Sequence, residues 1–303
     1  MSPDRNRLHI AIQKSGRLSD LSRQLLKDSG LRLSEGGKNH LTARAENFPL
    51  DLMFVRDDDI PTFVADGVCE LGIVGQNVLQ EYMLGPSEPH IEAEPRIEEV
   101  ARLGFGRCSL KIAAPEALTD FNVAMLAGQR IATSYPRLLA RFLVERGITA
   151  DIVTMRGAVE LAPRLGIARF ICDLVSTGAT LEANGLLPVA DVFDSEAVLI
   201  RTLKPIDAAH AAKAQALLTR IEGVIATAES KYIVLNAPES AIPAISAILP
   251  GAEAPTIVPL VGRPGHVAVQ AVCQESVFWE TLERLKAAGA SSILVMPIEK
   301  MML

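Results

Sequence analysis

The alternation of short apolar runs with helix-period segments constrains this chain more than any other feature of its sequence. Leu8–Gln13 is an apolar run of strand length, and Leu18, Leu21, Leu25 and Leu26 follow at helical spacing, with Gly30 where such a helix would stop. Residues 50–55 and 71–74 repeat the strand signal around a helix that begins near Asp58 and carries Pro61 in its first turn, where a missing N–H is tolerated. This is a βαβ unit. It predicts an α/β architecture with mostly parallel sheets.

The pattern restarts further on, with strands expected at 110–114, 130–132, 152–155 and 170–174 and helices after Pro136 and near Val159. A second α/β lobe is implied. Residues 84–95 between the lobes are rich in Pro and Glu without periodicity, which predicts an exposed connection. After Pro188 the chain is expected to return, with strands 189–192 and 198–202 finishing the first sheet. Lobe I is thus assigned to residues 1–105 completed by 186–229, and lobe II to 106–185.

A helix stripe of Ala214, Leu217, Leu218, Ile221, Ile225 and Ala228 leads into a tail of different texture. Strands at 231–236, Thr256–Pro259, 267–273 and 293–296 alternate with helices marked by Ile242, Ile245 and Leu249 and by Phe278, Leu282 and Leu285. The order βαββαβ over 230–303 is that of a ferredoxin-like domain, which covers one sheet face with two helices.

Composition removes several classes of function. A chain of 303 residues that is 49% hydrophobic can bury the cores of two or three domains. No apolar run reaches the roughly 18 to 20 residues of a membrane span, and the opening MSPDRNRLHIAIQ lacks the apolar stretch of a signal peptide, so no membrane role and a cytoplasmic location are expected. Cys69, Cys108, Cys172 and Cys273 are single and far apart, which reads as buried thiols rather than a metal or redox pair. With 30 basic against 36 acidic residues the net charge is -6, and no basic tract marks a nucleic-acid partner. A small polyphosphate ligand would need local Lys and Arg residues and Mg²⁺.

The strand FICDL runs into STGAT and then into the helical LEANGL. Unpaired amides converge at such a junction, here at Thr177, Gly178, Ala179 and Thr180, and with the Ser176, Thr177 and Thr180 hydroxyls and the helix dipole they make an anion site that Gly178 leaves open to close approach. Asp173 at the strand end is suited to two neighbouring ribose hydroxyls. The competing reading is a strand-turn-helix in which Ser and Thr only cap the helix.

In IAIQKSGRL, Lys14 and Arg17 flank the Ser15-Gly16 turn at another helix start, which suits pyrophosphate or an ordinary solvated loop. In FVRDDDIP, Arg56 ends a strand and faces the cleft, while Asp57, Asp58 and Asp59 read as helix-start capping. In GAVELAPRLG, Glu160 and Arg164 are four apart and are expected to share a helix face, as an ion pair or with Glu160 turned to Mg²⁺ or a substrate hydroxyl. No HExxH, GxSxG, P-loop or EF-hand pattern is present.

Taken together, IAIQKSGRL, AENFPLDLMFVRDDDIP, ELGIVGQNVL, RIATSYPRLLARFL, ICDLVSTGATLEANGL, ESKYIVLNAP, PGAEAPTIVPL and GASSILVMPIEKM resemble the long form of the ATP phosphoribosyltransferase family, nearly end to end and in order. The resemblance implies a two-lobed, periplasmic-binding-protein-like catalytic core followed by the ferredoxin-like domain as a regulatory tail. It implies the first step of histidine biosynthesis: N1 of ATP displaces pyrophosphate from 5-phosphoribosyl-1-pyrophosphate, with Mg²⁺, in the cytoplasm. On this reading Asp173 and Ser176 to Thr180 bind the phosphoribosyl group. Lys14, Gly16, Arg17 and Arg56 face pyrophosphate or the ATP phosphates, with Lys14 and Arg56 catalytic. Glu160 lies on the ATP or metal side.

The long form further implies feedback inhibition by histidine and a homo-oligomer that exchanges between dimer and hexamer. Asn236, Ala252, Thr256 and Ser291 fall on the segments implied for the effector. Two departures stand out. Asn236 replaces an acidic residue frequent in relatives, and Lys38-Asn39-His40 stands where relatives often carry an Arg, a contact assigned instead to Arg44. Two other readings compete: a two-lobed small-molecule binding or sensing protein without catalysis, against which stand the missing signal peptide and helix-turn-helix, and an idle regulatory subunit, against which stand the intact DLVSTGAT and QKSGR segments.

Overall fold

The computed structural model describes residues 6–34, 41–85, 96–228, 230–249, 254–274 and 278–301. It divides into two compact units, Met1–Lys27 with Leu31–Ala214, and Asp28–Gly30 with Gln215–Leu303. In chain order the first unit carries β1 (Leu8–Gln13), α1 (Arg17–Asp28), β2 (Thr42–Arg44), β3 (Leu50–Val55), α2 (Ile60–Ala65), β4 (Leu71–Gly75), α3 (Gln76–Met83) and β5 (Ile97–Arg102). Then come β6 (Cys108–Pro115), β7 (Arg130–Thr133), α4 (Pro136–Glu145), β8 (Asp151–Thr154), β9 (Phe170–Val175), α5 (Ala179–Ala183), β10 (Leu186–Ser195) and β11 (Ala197–Thr202).

Lobe I is a six-stranded sheet in the order β2-β3-β1-β4-β11-β5, and lobe II a five-stranded sheet in the order β10-β6-β9-β7-β8. The two expected lobes are present, but their sheets are mixed rather than mostly parallel. β1 lies between parallel β3 and β4, whereas β2, β11 and β5 run antiparallel to their neighbours. In lobe II, β7 is parallel to β8 and β9, while β6 and β10 are antiparallel. The cause lies in the connections. β6 and β11 enter their sheets beside the C-terminal ends of β9 and β4, as Ser109 opposite Val175 and Ala197 opposite Gly75 show, so they must run backwards.

The expected domain limits are corrected in two places. Residues 189–192 do not finish the first sheet: they belong to β10, which pairs with β6 of lobe II from Leu186 opposite Pro115 to Ser195 opposite Cys108. The chain returns only at Glu196, and β11 alone completes lobe I. The long helix α6 (Ala208–Ala228) is likewise shared, its residues from Gln215 onward grouping with the tail. Its second half is held there by Gly223, whose carbonyl accepts from the Met301 N–H at 3.4 Å. A Cβ on Gly223 would lie 2.5 Å from the Met301 oxygen.

Packing fixes how each strand end is presented. Leu8, Ile10, Ile12, Leu50, Leu52, Leu71 and Ile73 are fully buried, each contributing about 1.5 to 3 kcal/mol of burial. Gly72 admits α2 against the sheet, since a Cβ there would sit 2.9 Å from methyls of Ile60 and Val64. The buried thiols of Cys69 and Cys172 fit the reading of structural cysteines, and burial pushes the first up to about 12.

The second unit continues with β12 (Ser230–Pro238), α7 (Ile242–Ile248), β13 (Thr256–Pro259), β14 (His266–Gln274), α8 (Phe278–Ala287) and β15 (Ser291–Pro297). This is the expected βαββαβ order, folded as an antiparallel sheet β13-β14-β12-β15. Ile233, Leu235 and Ala237 are buried and alternate with more open Tyr232, Val234 and Asn236, so the helices cover one face, with Ile245 and Leu285 closing the core. Among the described residues no helix is long and apolar enough to cross a membrane.

Candidate functional site

β9 builds the site because its apolar half anchors it. Phe170, Ile171 and Cys172 are fully buried, and the strand turns polar at Asp173, which emerges at the end of the sheet opposite Lys111 of β6. The Asp173 carboxylate accepts the Leu174 N–H at 2.8 Å. Burial raises its pKa, the Leu174 N–H opposes that, and the nearby charge of Glu160 adds to it.

After β9 the chain turns through Gly178, at φ +84°, into α5. A side chain at that φ is strained, which accounts for glycine. No side chain caps α5, and no hydrogen bond within the described residues occupies the Ser176, Thr177 or Thr180 hydroxyls, all three residues being exposed. The capping reading therefore fails, and the donors are free for a ligand. α5 has only 5 residues, so the helix dipole expected to attract an anion is small and the attraction rests on the loop amides and hydroxyls.

The loop separates two cavities. The smaller, about 210 Å³, is lined by Glu160 and by every residue from Asp173 to Leu181. The larger, about 690 Å³, meets the other side of Ser176, Thr177 and Gly178 and carries Arg102, Arg107 and Lys111 together with Glu182, Asp194 and Glu196. Lys111 is paired with Asp191, and Arg102 with Glu99 and Glu196.

Glu160 reaches the cavity by a different route from the one expected. Residues 159–161 form a single 3-10 turn rather than a helix carrying both Glu160 and Arg164, so the predicted shared face does not exist. Gly157 at φ +126° and Ala158 at φ +50° break the helical pattern and swing Glu160 toward Asp173. Among the described residues no group of three His, Cys, Asp or Glu side chains is arranged to hold a metal ion.

Lys14, Gly16 and Arg17 lie beyond the C-terminal end of β1, and Arg56 beyond that of β3, where Lys14 N–H binds the Val55 carbonyl at 2.8 Å. All four are exposed, with Gly16 at φ +97° opening α1. They form one group at the cleft end of lobe I, though none of them lines either cavity of the loop. Arg44, assigned a substrate contact above, is instead paired with Asp51 near the start of β3, at the opposite end of the sheet. Residues 38–40 lie outside the described residues.

The two lobes meet at Tyr135, which sequence reasoning missed. It packs against the apolar cores of both lobes. Burial raises its pKa, as do the charges of Asp57 and Asp58 from lobe I and Asp173 from lobe II, while a hydrogen bond with Asn77 opposes them. Asp58 is itself raised by burial and by Asp57 and Asp59, against Arg156 and Arg56. A carboxylate and an arginine from each lobe thus share one electrostatic neighbourhood. The signal in the sequence was Tyr135 just before Pro136, where a helix N-cap ordinarily takes Ser, Thr, Asp or Asn.

In the tail, Asn236 and Ser291 are brought together across β12 and β15, the Ser291 hydroxyl lying 3.4 Å from the Asn236 carbonyl. A bulge at Ser292, φ +50°, sets that register. Thr256 is separated from them, on the edge strand β13 beyond β14, and Ala252 lies outside the described residues.

The family pattern described as ATP phosphoribosyltransferase matches residues 56–223, and that described as HisG, C-terminal domain matches residues 227–300. The chain is 53% identical over 297 residues to the ATP phosphoribosyltransferase of Maricaulis maris (strain MCS10), covering 98% of this chain and 99% of that protein. Among solved structures it is similar to the ATP phosphoribosyl transferase (HisG:HisZ) complex from Thermotoga maritima, at a TM-score of 0.58 and 23% identity, covering 72% of this chain and 97% of that one. A lower similarity, TM-score 0.47 at 17% identity over 73% of this chain and 74% of the other, is to the alkanesulfonate-binding protein SsuA from Xanthomonas axonopodis pv. citri. With a strand-end aspartate, an uncapped hydroxyl loop and the ferredoxin-like tail all in place, the chain belongs to the long form of the ATP phosphoribosyltransferase family.

Proposed function

We propose that this chain transfers the 5-phosphoribosyl group of 5-phosphoribosyl-1-pyrophosphate to N1 of ATP, releasing pyrophosphate, as the first step of histidine biosynthesis. The observation that carries this reading is the loop Ser176 to Thr180, whose hydroxyls and amides stand free beside the Asp173 carboxylate in one small cavity. Free N–H and O–H donors around a glycine suit a phosphate, and a carboxylate at the strand end suits the 2- and 3-hydroxyls of the attached ribose.

In the reaction the C1–O bond to pyrophosphate breaks while the C1–N1 bond forms, so no nucleophilic side chain is called for. The residues' work is positioning and charge stabilisation. The loop and Asp173 fix the sugar. Lys14, Arg17 and Arg56, exposed at the cleft end of lobe I, meet the pyrophosphate or the ATP phosphates, with Gly16 giving them their turn. Tyr135, held between the carboxylates of both lobes, closes the apolar floor under the reactants.

The residues present fit Mg²⁺ of the kind carried in by a polyphosphate: Glu160 and Asp173 offer two carboxylates to one cavity, and this ion commonly takes one or two protein carboxylates with substrate phosphates and water. When bound, it neutralises the charge that develops on the leaving pyrophosphate.

The tail reads as a histidine-binding regulatory domain, with Asn236 and Ser291 on one side of the site and a homo-oligomer exchanging between dimer and hexamer. Activity unaltered by millimolar histidine would assign the tail another effector or none. The reaction is tested by measuring pyrophosphate from the purified chain with ATP, phosphoribosyl pyrophosphate and Mg²⁺ omitted in turn. Release is expected only with all three; release without ATP, or none with the complete mixture, would overturn the assignment.

A further inference from the structure

Helix α4 of lobe II begins without a cap of its own. Pro136 is its first residue and has no N–H, and the N-cap position is held by Tyr135, whose side chain makes no capping hydrogen bond. The first amides that need an acceptor are those of Arg137 and Leu138. Both are satisfied from lobe I: the two carboxylate oxygens of Glu81 accept them one each, at 2.9 Å and 2.9 Å. The contact is reinforced by a third bond in the same direction, Arg137 Nη1 donating to the Glu81 backbone carbonyl at 2.9 Å.

The helix that carries Glu81 is anchored at its other end to the crossing between lobes. Gln76 N–H donates to the Glu196 carbonyl at 2.8 Å, and Asn77 N–H to the Ser195 hydroxyl at 3.0 Å. Asn77 also contacts Tyr135. α3 is thus fixed at its start to the returning strand and at its end to the first turn of α4. Tyr135 lies between those two fixings, beside Asp57 and Asp58 of one lobe and Asp173 of the other.

We propose that Glu81 is a positioning residue for the transfer reaction: by capping α4 from the opposite lobe it seats Tyr135 and sets the separation at which the loop of lobe II faces the cations of lobe I. A serine or aspartate at position 135 would cap α4 from within lobe II, and the lobes would then be free to separate without uncapping a helix. With tyrosine there, the cap is delegated to Glu81, and opening the cleft breaks it. The kinetic part of this proposal rests on the phosphoribosyl-transfer reading of the cleft.

The test uses the full chain and the variants Glu81→Gln and Arg137→Ala. Glutamine keeps one acceptor but turns an NH₂ toward one of the two helix amides, and Arg137→Ala removes the guanidinium bond to the Glu81 carbonyl while leaving the carboxylate cap intact. Hydrogen exchange of the peptide containing Arg137 and Leu138 is followed by mass spectrometry, alongside kcat and KM for both substrates. Faster exchange in that first turn is expected, with kcat/KM reduced about tenfold or more because misplacement of reacting groups is costly, and with kcat falling while the melting temperature stays near that of the parent.

A loss of melting temperature with unchanged kcat and KM would overturn the proposal and leave Glu81 a stabilising cap alone. Unchanged exchange would overturn the latch itself. If Glu81→Gln fails to fold, Glu81→Asp, which keeps the charge but shortens the reach of the carboxylate to the two helix amides, decides by the same readouts. A parent protein that makes no pyrophosphate would overturn the reaction rather than the cap, which the exchange rates still report.

Discussion

Asn77 and Ser195 bind each other twice at the point where the chain returns to lobe I: the Ser195 hydroxyl donates to Asn77 Oδ1 at 2.8 Å and accepts the Asn77 N–H at 3.0 Å. Both residues are buried. One comes from α3 of lobe I and the other from the last position of β10 in lobe II, so this hydroxyl adds a tie between the lobes to those made by Glu81 and Tyr135.

Removing that hydroxyl leaves the Asn77 N–H and carboxamide oxygen without their partner in a buried place. Ser195→Ala is therefore expected to cost about 1 to 3 kcal/mol. Urea unfolding followed by fluorescence or circular dichroism would measure it. A loss below about 0.5 kcal/mol would mean that water replaces the hydroxyl.

Thr177 and Thr180 are exposed and carry hydroxyls with no partner within the described residues, so their replacement leaves the fold nearly untouched. Thr177→Val and Thr180→Val should each raise the KM for phosphoribosyl pyrophosphate about tenfold, the effect of one hydrogen bond to a charged group. The KM for ATP should change less. Equal effects on both substrates would remove the loop from the sugar phosphate.

His9 of β1 and Glu70, at the start of β4, predict a pH window for stability. The neighbouring Glu70 carboxylate, which receives the His9 backbone N–H at 2.7 Å and lies 3.7 Å from the ring, raises the His9 pKa above 6.5 despite burial. Burial pushes Glu70 upward, but its contacts with His9 outweigh this and hold it below 4.5. The histidine contribution is full below 6.5 and lost as pH rises through its folded value. The glutamate contribution is full above 4.5 and lost as pH falls through its folded value. The pair therefore supports the fold most between the two, and His9→Asn should lower the melting temperature more at pH 5.5 than at pH 8.5. An equal loss at both would contradict the ion pair.

In the tail, Thr281 is buried and its hydroxyl has no hydrogen-bond partner among the described residues. Thr281→Val removes an unsatisfied donor at nearly constant volume. The expected gain is about 1 kcal/mol, read as a raised denaturation midpoint. A lowered midpoint would show that the hydroxyl has a partner in solution.

Much of this molecule was legible in the sequence because burial writes a period into it. β1, β3 and β13 fall at the expected residues, and the βαββαβ tail follows the predicted order. What failed was long-range. The strand at 189–192 has the same apolar texture whichever sheet it joins, and only its partner, β6, decides. β5 was missed because Glu98, Glu99 and Arg102 give an edge strand no alternation of its own. The i,i+4 spacing of Glu160 and Arg164 looks helical, while the left-handed turn at Ala158 is not written in any side chain. The loop from Asp173 to Thr180 could be found from the sequence because its chemistry is contiguous. Tyr135 shows in the sequence only as an unusual N-cap before Pro136, and Glu81 not at all, because their roles depend on partners in the other lobe.

The most direct measurement is a crystal structure of the protein with phosphoribosyl pyrophosphate bound. The 5-phosphate is expected within hydrogen-bonding distance of the Ser176 to Thr180 amides and hydroxyls, with the Asp173 carboxylate on the ribose hydroxyls and the pyrophosphate toward Lys14, Arg17 and Arg56. A 5-phosphate seated on the Lys14 to Arg17 turn, with the loop empty, would contradict the assignment.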